Sequence, residues 1–429
     1  MENKIVLKGL SATNFGSFAD RMSFTTVVDS SKKESEINAF KEGDEYVNKV
    51  SFIYGANGSG KTYFCKVLRE MQRMIFVSPF SMMDQTQKKA LMQNDDIMRT
   101  VPYFMFDTEY KELPTNLSID LSINGTLYHY EFSVKGKKIV YELLTKKYRR
   151  TEKILERKSP AYQDIKLRSE LKSFENTKNV VREDALCLAM AAILNNEFAQ
   201  LIASSISEIN ISNMTLSYLD PTGPEAFSEE RIAKYVAVLQ KADPTIRDMD
   251  VEFTEEEISR QKIESDDFEN RSVIQTNTTV KVRSKHAMFD HGVEIDEEND
   301  QIEFFRDESL GTVKLFTVLP HLFDVLENGG VMILDEIENG FHPYLVKNIL
   351  ALFLDRESNP NDAQLICTTH QPLLISDNTK KDQVWIISKD NTGKSSLSRL
   401  SDKKFNRAKV NIANQIIEGE FGCNPDPFF

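Results

Sequence analysis

Short continuous runs of apolar residues occur in two parts of the chain that are far apart in sequence. The runs that we interpret as strands are Val50–Tyr54, Val331–Leu334, Gln364–Thr368 and Gln383–Ser388. Helical patterns follow from Lys61 in the first part and over Pro343–Leu354 in the second. Because apolar strands alternate with helices, both ends of the chain are predicted to build one α/β domain on a parallel sheet.

The chain between these two parts has a different pattern. Residues 101–148 alternate between apolar and polar positions, as expected for strands with one buried face. Asn124-Gly125 separates two alternating segments, which is a strong signal for a tight β-hairpin. This region is therefore predicted to be an antiparallel β-meander.

A mostly helical pattern follows, from Thr151 to about Phe268. Prolines interrupt it, and the acidic stretch Glu252–Asp267 is expected to be exposed. The apolar repeats are too short for a long coiled-coil arm. We predict an N-terminal lobe at 1–100, the meander at 101–150, an inserted helical subdomain at 151–275 and a C-terminal lobe at 276–429.

Composition and charge narrow the possible classes of protein. The longest apolar run, Ala185–Leu194, has ten residues and is too short to cross a bilayer, so it predicts a buried helix. No export signal is evident at the N-terminus, and the four cysteines have no metal-ligand spacing, so we expect a cytoplasmic protein without membrane contact. A net charge of 53 − 66 = −13 argues against a surface that grips nucleic acid everywhere. The cationic stretch Lys135–Lys158 is interpreted as a solvated face, although a local basic groove stays open.

The strongest chemical signal is a complete GxxxxGK[ST] motif that follows an apolar strand and opens a helix. Glycines allow the backbone to wrap around phosphates, and the helix start favours anions. Lys61 is expected to neutralise phosphate oxygens and Thr62 to offer its hydroxyl to Mg²⁺. The predicted nucleotide-binding residues of the motif are Gly55, Asn57, Gly58, Ser59, Gly60, Lys61 and Thr62.

Polar side chains follow two further strands of the predicted sheet. Asp335 and Glu336 follow one buried strand, where Asp335 can hold Mg²⁺ and Glu336 can activate the attacking water. His370 follows another strand and can contact the γ-phosphate or the water, although a histidine at a strand end is often structural. Lys61, Glu336 and His370 are the predicted catalytic residues.

Several motifs together resemble the ABC-type ATPase heads of SMC proteins, DNA-break-repair ATPases and OLD-type proteins. More narrowly, the chain resembles the AAA15/AAA21 group of prokaryotic ATPases associated with phage defence. The segments that carry this resemblance are NFGSF, YGANGSGK, ESLGTVKLF, LDEIENGFHP, TTHQPLL and the terminal GEFGCNPDPF. The resemblance implies an α/β, ABC-type P-loop ATPase head with an inserted antiparallel β-meander and helical subdomain, which binds and hydrolyses ATP with Mg²⁺.

The resemblance also implies a head-to-tail homodimer, or a higher homo-oligomer built on it. In such a dimer, Ser309 and Gly311 of one subunit would cap the γ-phosphate held by the other, and Asn339–Pro343 would cross the interface. His342 in that loop could report the state of the neighbour, or simply start a helix. A separate effector, such as a nuclease or toxin, would deliver the antiviral output.

Two departures from the ABC pattern stand out. No glutamine is assigned as the Mg²⁺ sensor, because Gln72 lies within the first helix and Gln85 and Gln87 lie in a polar loop. The signature at Ser309 also lacks the second glycine of the fuller LSGG form.

Other residues of the chain suggest alternative sites and functions. His286 and His291 beside Asp290 could suggest a metal site, and the acids between Glu294 and Asp300 a nuclease centre, but a hairpin with a solvated turn is favoured. We expect no fused nuclease domain after the last motif. The main rival function is a DNA-repair or chromosome-structural ATPase that clamps DNA, so DNA or RNA stays open as a partner. A standalone metabolic NTPase or kinase would leave Ser309 unexplained.

Overall fold

The chain divides into two structural units, residues 1–213 with 324–429 and residues 214–323. The computed structural model describes residues 3–29, 37–83, 99–213, 224–263, 271–375, 379–403 and 412–417, without the side chains of 255–278 and 296–301.

The described strands are β1 (Ile5–Thr13), β2 (Met22–Thr25), β3 (Ala39–Glu42), β4 (Glu45–Asn48), β5 (Val50–Tyr54), β6 (Thr115–Ile123), β7 (Thr126–Lys135), β8 (Lys138–Lys147), β9 (Thr151–Arg157), β10 (Lys166–Leu167), β11 (Asn210–Asn213), β12 (Ile246–Ile263), β13 (Arg271–Asp290), β14 (Val293–Glu303), β15 (Val331–Asp335), β16 (Gln364–Thr369), β17 (Val384–Lys389) and β18 (Ser395–Arg399). The described α-helices are α1 (Lys61–Val77), α2 (Cys187–Ile193), α3 (Glu197–Ser207), α4 (Glu229–Leu239), α5 (Phe304–Asp307), α6 (Leu310–Asn328), α7 (Pro343–Leu354) and α8 (Ile412–Ile417).

An antiparallel sheet of the first unit contains the predicted meander. Its strand order is β10-β9-β8-β7-β6-β1-β2. Asn124 and Gly125 join β6 to β7 with φ angles of 51° and 78°, the left-handed values that a two-residue hairpin turn requires. The predicted hairpin is therefore confirmed.

A second sheet of the first unit carries the strands predicted to be parallel. Its order is β11-β15-β16-β5-β17-β18, and every pair in it is parallel except β17 with β18 at the edge. All residues of β5, β15 and β16 are buried, as expected for a sheet covered on both faces. The carboxyl ends of these three strands consequently lie side by side.

One hydrophobic core joins both sheets of the first unit to helices α1, α2 and α3. Helix α2 falls in the longest apolar run of the sequence and is buried over Cys187–Ala191, which confirms the predicted buried helix. Among the described residues, no single helix is long and apolar enough to span a membrane, whereas α2 and α3 pass the same length and composition test only as a pair bent by 112°. Cys65, Cys187 and Cys367 are buried and free, and Cys423 lies outside the described residues.

The second unit contains an antiparallel sheet with the order β12-β13-β14. Helix α4 packs against β12. Its core is aromatic: the ring of Phe316 lies 4.8 Å from that of Phe304 and 5.8 Å from that of Phe227, measured between centroids. Offset and edge contacts of this kind favour aromatic packing beyond the area that they bury.

The structure differs from the sequence prediction between residues 151 and 275. Strands β9 and β10 extend the meander sheet, and the acidic stretch predicted to be an exposed segment lies largely in β12. Backbone pairing of β12 with β13 accounts for this difference, because antiparallel pairing tolerates charged side chains on a solvated face. The units also divide at 213/214 and 323/324, which differs from the predicted boundaries at 150/151 and 275/276. The predicted α/β fold class, with its parallel sheet and antiparallel meander, is confirmed, whereas the subdomain predicted to be helical contains the sheet β12-β13-β14.

Candidate functional site

The glycine-rich motif forms a tight loop between β5 and α1. Gly58 and Gly60 have φ angles of 78° and 116°, which are strained for residues with a Cβ. A Cβ on Gly60 would lie 2.6 Å from Ser17 Oγ and 2.7 Å from Ser395 Oγ. Glycine is therefore required here both by the backbone conformation and by the close approach of two neighbouring segments.

Lys61 opens α1 and folds back over this loop. Its side chain is 4% exposed, and Nζ donates hydrogen bonds to the carbonyl oxygens of Gly55 at 2.7 Å and Ala56 at 2.9 Å. Burial lowers the pKa of the Lys61 ammonium from its usual value. Three carboxylates oppose this shift and raise the pKa, namely those of Glu336, Glu338 and Asp335. The loop cation and these acids are thus close enough to interact.

Asp335 and Glu336 are held by one hydroxyl group of the neighbouring strand. Thr368 Oγ1 donates to Asp335 Oδ1 at 2.7 Å and accepts the backbone N–H of Glu336 at 2.7 Å. Glu336 has a φ angle of 53°, in the left-handed region that costs a non-glycine residue about 1–2 kcal/mol. This backbone turn directs Glu336 out of the line of β15.

The helix that follows the loop also contacts Asp335. Burial raises the pKa of the Cys65 thiol well above its usual value, and the charge of Asp335 and a hydrogen bond to it raise the pKa further. Asp335 is therefore set between α1 and β16, beside the start of the helix that carries Lys61 and Thr62.

Glu338 is a functional candidate that the sequence reasoning missed. Its side chain is buried, and Oε1 accepts the backbone N–H of His370 at 2.7 Å while lying 2.7 Å from Nδ1 of the same histidine. Oε2 of Glu338 is buried without a hydrogen-bond partner. The imidazole of His370 is thereby oriented by Glu338, although the sequence analysis assigned no partner to it. The third acid of LDEIE, two residues after Glu336, was the available signal.

Ser309 and Gly311 lie in the second unit, at the start of α6. Ser309 caps this helix, because its carbonyl oxygen accepts the N–H of Val313 at 3.0 Å and its Oγ accepts the N–H of Thr312 at 3.1 Å. The side chain of Ser309 is exposed. P-loop residues, Asp335, Glu336 and His370 belong together in the first unit, and the Ser309 group belongs to the other.

Other candidates from the sequence have structural roles or lie outside the described part of the chain. Gln72 Nε2 donates to the carbonyl oxygens of Ile206 at 3.0 Å and Ile209 at 2.9 Å, so this glutamine caps the end of α3. His342 caps α7 by accepting the N–H of Tyr344 at 3.2 Å. Gln85, Gln87 and the terminal GEFGCNPDPF are outside the described residues.

The metal and nuclease readings gain no geometric support. His291 is 95% exposed and pairs with neighbouring Asp290 in the turn between β13 and β14. Within the described ranges, no group of three or more His, Cys, Asp or Glu side chains could hold a metal ion. Side chains of Asp296, Glu297, Glu298 and Asp300 are outside the description, while Glu294 pairs with Arg247 at 2.6 Å.

The residues present fit a magnesium nucleotide. Asp335 and Thr62 offer the carboxylate and hydroxyl oxygens that Mg²⁺ prefers, and Lys61 supplies a cation for phosphate. Ser59 Oγ, in the loop itself, is buried without a hydrogen-bond partner. Unsatisfied buried polar atoms are uncommon in folded proteins, and this one lies where a phosphate-binding loop receives its ligand.

Comparison with known proteins gives one family model and similarity to solved structures, two of which are described here. A family model described as "AAA domain, putative AbiEii toxin, Type IV TA system" matches residues 50–376. No curated protein matches the chain. Among solved structures, the chain is similar to the SMC head domain from Thermotoga maritima (11% identity, TM-score 0.35) and to the recombination mediator protein RecF-ATPrS in the RecFOR pathway (12% identity, TM-score 0.35). Each likeness covers 92% of this chain and 98% of the other.

Thr368→Val tests the shared hydroxyl. Valine has nearly the same shape but leaves Asp335 Oδ1 and the N–H of Glu336 without this partner, at a cost of about 1–3 kcal/mol in stability. We expect the rate of ATP hydrolysis to fall by about tenfold or more, because Glu336 loses its fixed backbone.

Thr26→Val is the matched control for this substitution. It removes another buried threonine hydroxyl, which donates to the carbonyl oxygen of Leu7, away from the loop. Thermal unfolding and steady-state hydrolysis distinguish the two variants. Equal losses of activity in both would contradict a specific role for Thr368.

Proposed function

We propose that this chain, which belongs to the AAA-domain family described as a putative AbiEii toxin of a type IV TA system, binds Mg-ATP and hydrolyses it to ADP and phosphate. The observation that carries the proposal is the hydroxyl of Thr368, which holds Asp335 and Glu336 together at the sheet edge where Lys61 closes the glycine-rich loop. Phosphoryl transfer depends mainly on positioning and charge stabilisation, and this edge offers both.

The loop and its lysine bind the triphosphate. Backbone N–H groups of the loop and the start of α1 face the anion, and Lys61 transfers its hydrogen bonds from the loop carbonyl oxygens to phosphate oxygens. Thr62 and Asp335 would hold Mg²⁺, which when bound neutralises charge on those oxygens.

Glu336 orients the attacking water and accepts its proton. Glu336 has a left-handed backbone directly after β15, and Asn339 Nδ2 donates to its Oε2 at 3.5 Å. His370 presents its ring under the control of Glu338 and contacts the γ-phosphate or the water. Glu338 is in this proposal a positioning residue.

The nucleotide-binding site is completed by a second copy of the chain. In a head-to-tail dimer, or in a larger assembly of such dimers, Ser309 and Gly311 of one protomer cap the γ-phosphate bound by its partner. Their place at the N-terminus of the 19-residue helix α6 supports this role, because such an end attracts anions. ATP binding would then close the dimer, and hydrolysis would open it.

The closing and opening of the dimer is proposed to control a separate effector, such as a nuclease or toxin, in defence against phage. The family description, which names a putative toxin, supports an output of this kind rather than a metabolic one. The rival proposal, in which the dimer clamps DNA, predicts that DNA stimulates hydrolysis with a steep dependence on salt. Measuring hydrolysis with and without DNA at several salt concentrations separates the two.

Lys61→Ala tests nucleotide binding. Loss of a charged hydrogen-bond donor costs about 2–3 kcal/mol, so affinity for ATP is expected to fall by roughly 100-fold and hydrolysis to be lost. Calorimetric titration with a slowly hydrolysed ATP analogue measures the change. Lys66→Ala, on the exposed face of the same helix, is the control and should bind like the parent. Full affinity in the Lys61 variant would exclude the loop as the binding site.

Glu336→Gln tests the water-activating role. Glutamine keeps the shape of the side chain but is neutral and cannot accept the proton of the water. The variant should therefore bind ATP while its rate of hydrolysis falls about 10²–10⁴-fold. We expect ATP to convert it to a stable dimer, visible by size-exclusion chromatography with light scattering. Glu357→Gln, at an exposed site, should hydrolyse normally. Turnover at the parent's rate in Glu336→Gln would show that another group activates the water.

A further inference from the structure

A chain of polar contacts joins the base of the β12–β13 hairpin to the residue that precedes Ser309. Nε2 of His286 on β13 lies 2.7 Å from Oε1 of Glu308, and its Nδ1 lies 2.8 Å from Oγ1 of Thr245. Ser284 also donates to Oε1 of Glu308. Both members of the central pair are partly buried, with side chains 12% exposed for His286 and 7% for Glu308.

The contact matters because of where Glu308 lies in the sequence. Glu308 is the residue immediately before Ser309, and Ser309 caps α6 with both its backbone and its side chain. A fixed Glu308 therefore limits the directions in which the Ser309 hydroxyl can point. On the other side, the backbone N–H of Ala287 donates to the carbonyl oxygen of Thr245 at 2.8 Å, which fixes the hairpin base.

Stability alone is a poor explanation for the pair. Removing polar side chains from water is costly, and apolar residues of the same volume often serve a core equally well. The aromatic rings of Phe304 and Phe316 already fill the core beside α6. What the polar pair adds is a defined geometry between β13 and the segment before Ser309.

The pair also lies at one end of a long hairpin. Pairing of β12 with β13 begins at Ile246 with His286 and continues to Ile263 with Arg271. At a rise of about 3.3 Å per residue, a strand of this length spans roughly 55–60 Å. A displacement of the hairpin would therefore act on Glu308, the residue before Ser309, through its contact with His286.

We propose that His286 and Glu308 are positioning residues for Ser309, and that they couple the hairpin to the capping of ATP held by the partner protomer. This inference rests on the proposed function, in which Ser309 acts on the nucleotide of the second copy. His286 touches no nucleotide in this scheme and acts through Glu308.

Paired histidine variants test the proposal on the intact chain. His286→Ala should lower kcat for ATP hydrolysis by about tenfold or more and weaken ATP-dependent dimerisation of the Glu336→Gln background, while ATP affinity of the monomer stays as in the parent. His291→Ala, at the exposed turn between β13 and β14, should behave as the parent. If His286→Ala does not fold, Glu308→Gln, which keeps the shape of the side chain, decides by the same readouts. Parental kcat and dimerisation in the folded variant would overturn the inference.

Mixed dimers show whether His286 acts across the interface. Lys61→Ala chains keep an intact His286, and His286→Ala chains keep an intact loop, so a mixed dimer contains one complete composite site. We expect the mixture to hydrolyse ATP severalfold faster than the sum of the separate variants. The pair Lys61→Ala with Ser309→Ala calibrates the experiment. Recovery in the calibrating pair without recovery in the His286 pair would overturn the inference alone, and no recovery in either would count against the dimer of the proposed function.

Discussion

The candidate site depends on one hydroxyl group shared between two neighbouring strands. Thr368 lies on β16, between β15 with Asp335 and β5 with the glycine-rich loop. Its Oγ1 donates to Asp335 and accepts the N–H of Glu336, so the hydroxyl of one strand holds both acids at the end of the neighbouring strand. The strained backbone of Glu336 persists because this bond and the buried strands on both sides hold it.

The charges at this edge of the sheet support the proposal that a divalent cation accompanies the nucleotide. The Lys61 ammonium interacts with three carboxylates, those of Glu336, Glu338 and Asp335. One positive charge among three negative ones leaves the edge unfavourable for a triphosphate, which is itself strongly negative. In the proposed function, Asp335 and Thr62 would hold a divalent cation, whose charge would offset both the carboxylates and the phosphates.

The sequence was most informative where chemistry follows a short spacing along the chain. The strand, glycine-rich loop and helix around Lys61 are contiguous, and the hairpin at Asn124-Gly125 is specified by its turn residues, so both could be predicted. Glu338 could not, because its partner His370 lies 32 residues away and meets it only through sheet packing. The contact between His286 and Glu308 could not be predicted either, because the two residues are also far apart in sequence. In addition, a histidine among charged residues of a hairpin has the pattern of a solvated turn. Strand β12 was not predicted from the sequence, because its run of acidic residues is typical of an exposed segment and obscures the alternation of polar and apolar positions.

The division of the chain places the two halves of the proposed ATP site in different units. Helix α6 crosses the boundary at 323/324: it begins next to Ser309 and ends at Asn328, and β15 with Asp335 starts three residues later. Gly329 and Gly330 lie between them with φ angles of 81° and 109°, a conformation that side chains disfavour. Between Ser309 and Asp335 the chain thus consists of one helix, which contains Pro320, two glycines and β15. In the proposed coupling, the hairpin acts on Ser309 through Glu308, so the coupling requires no element outside the second unit.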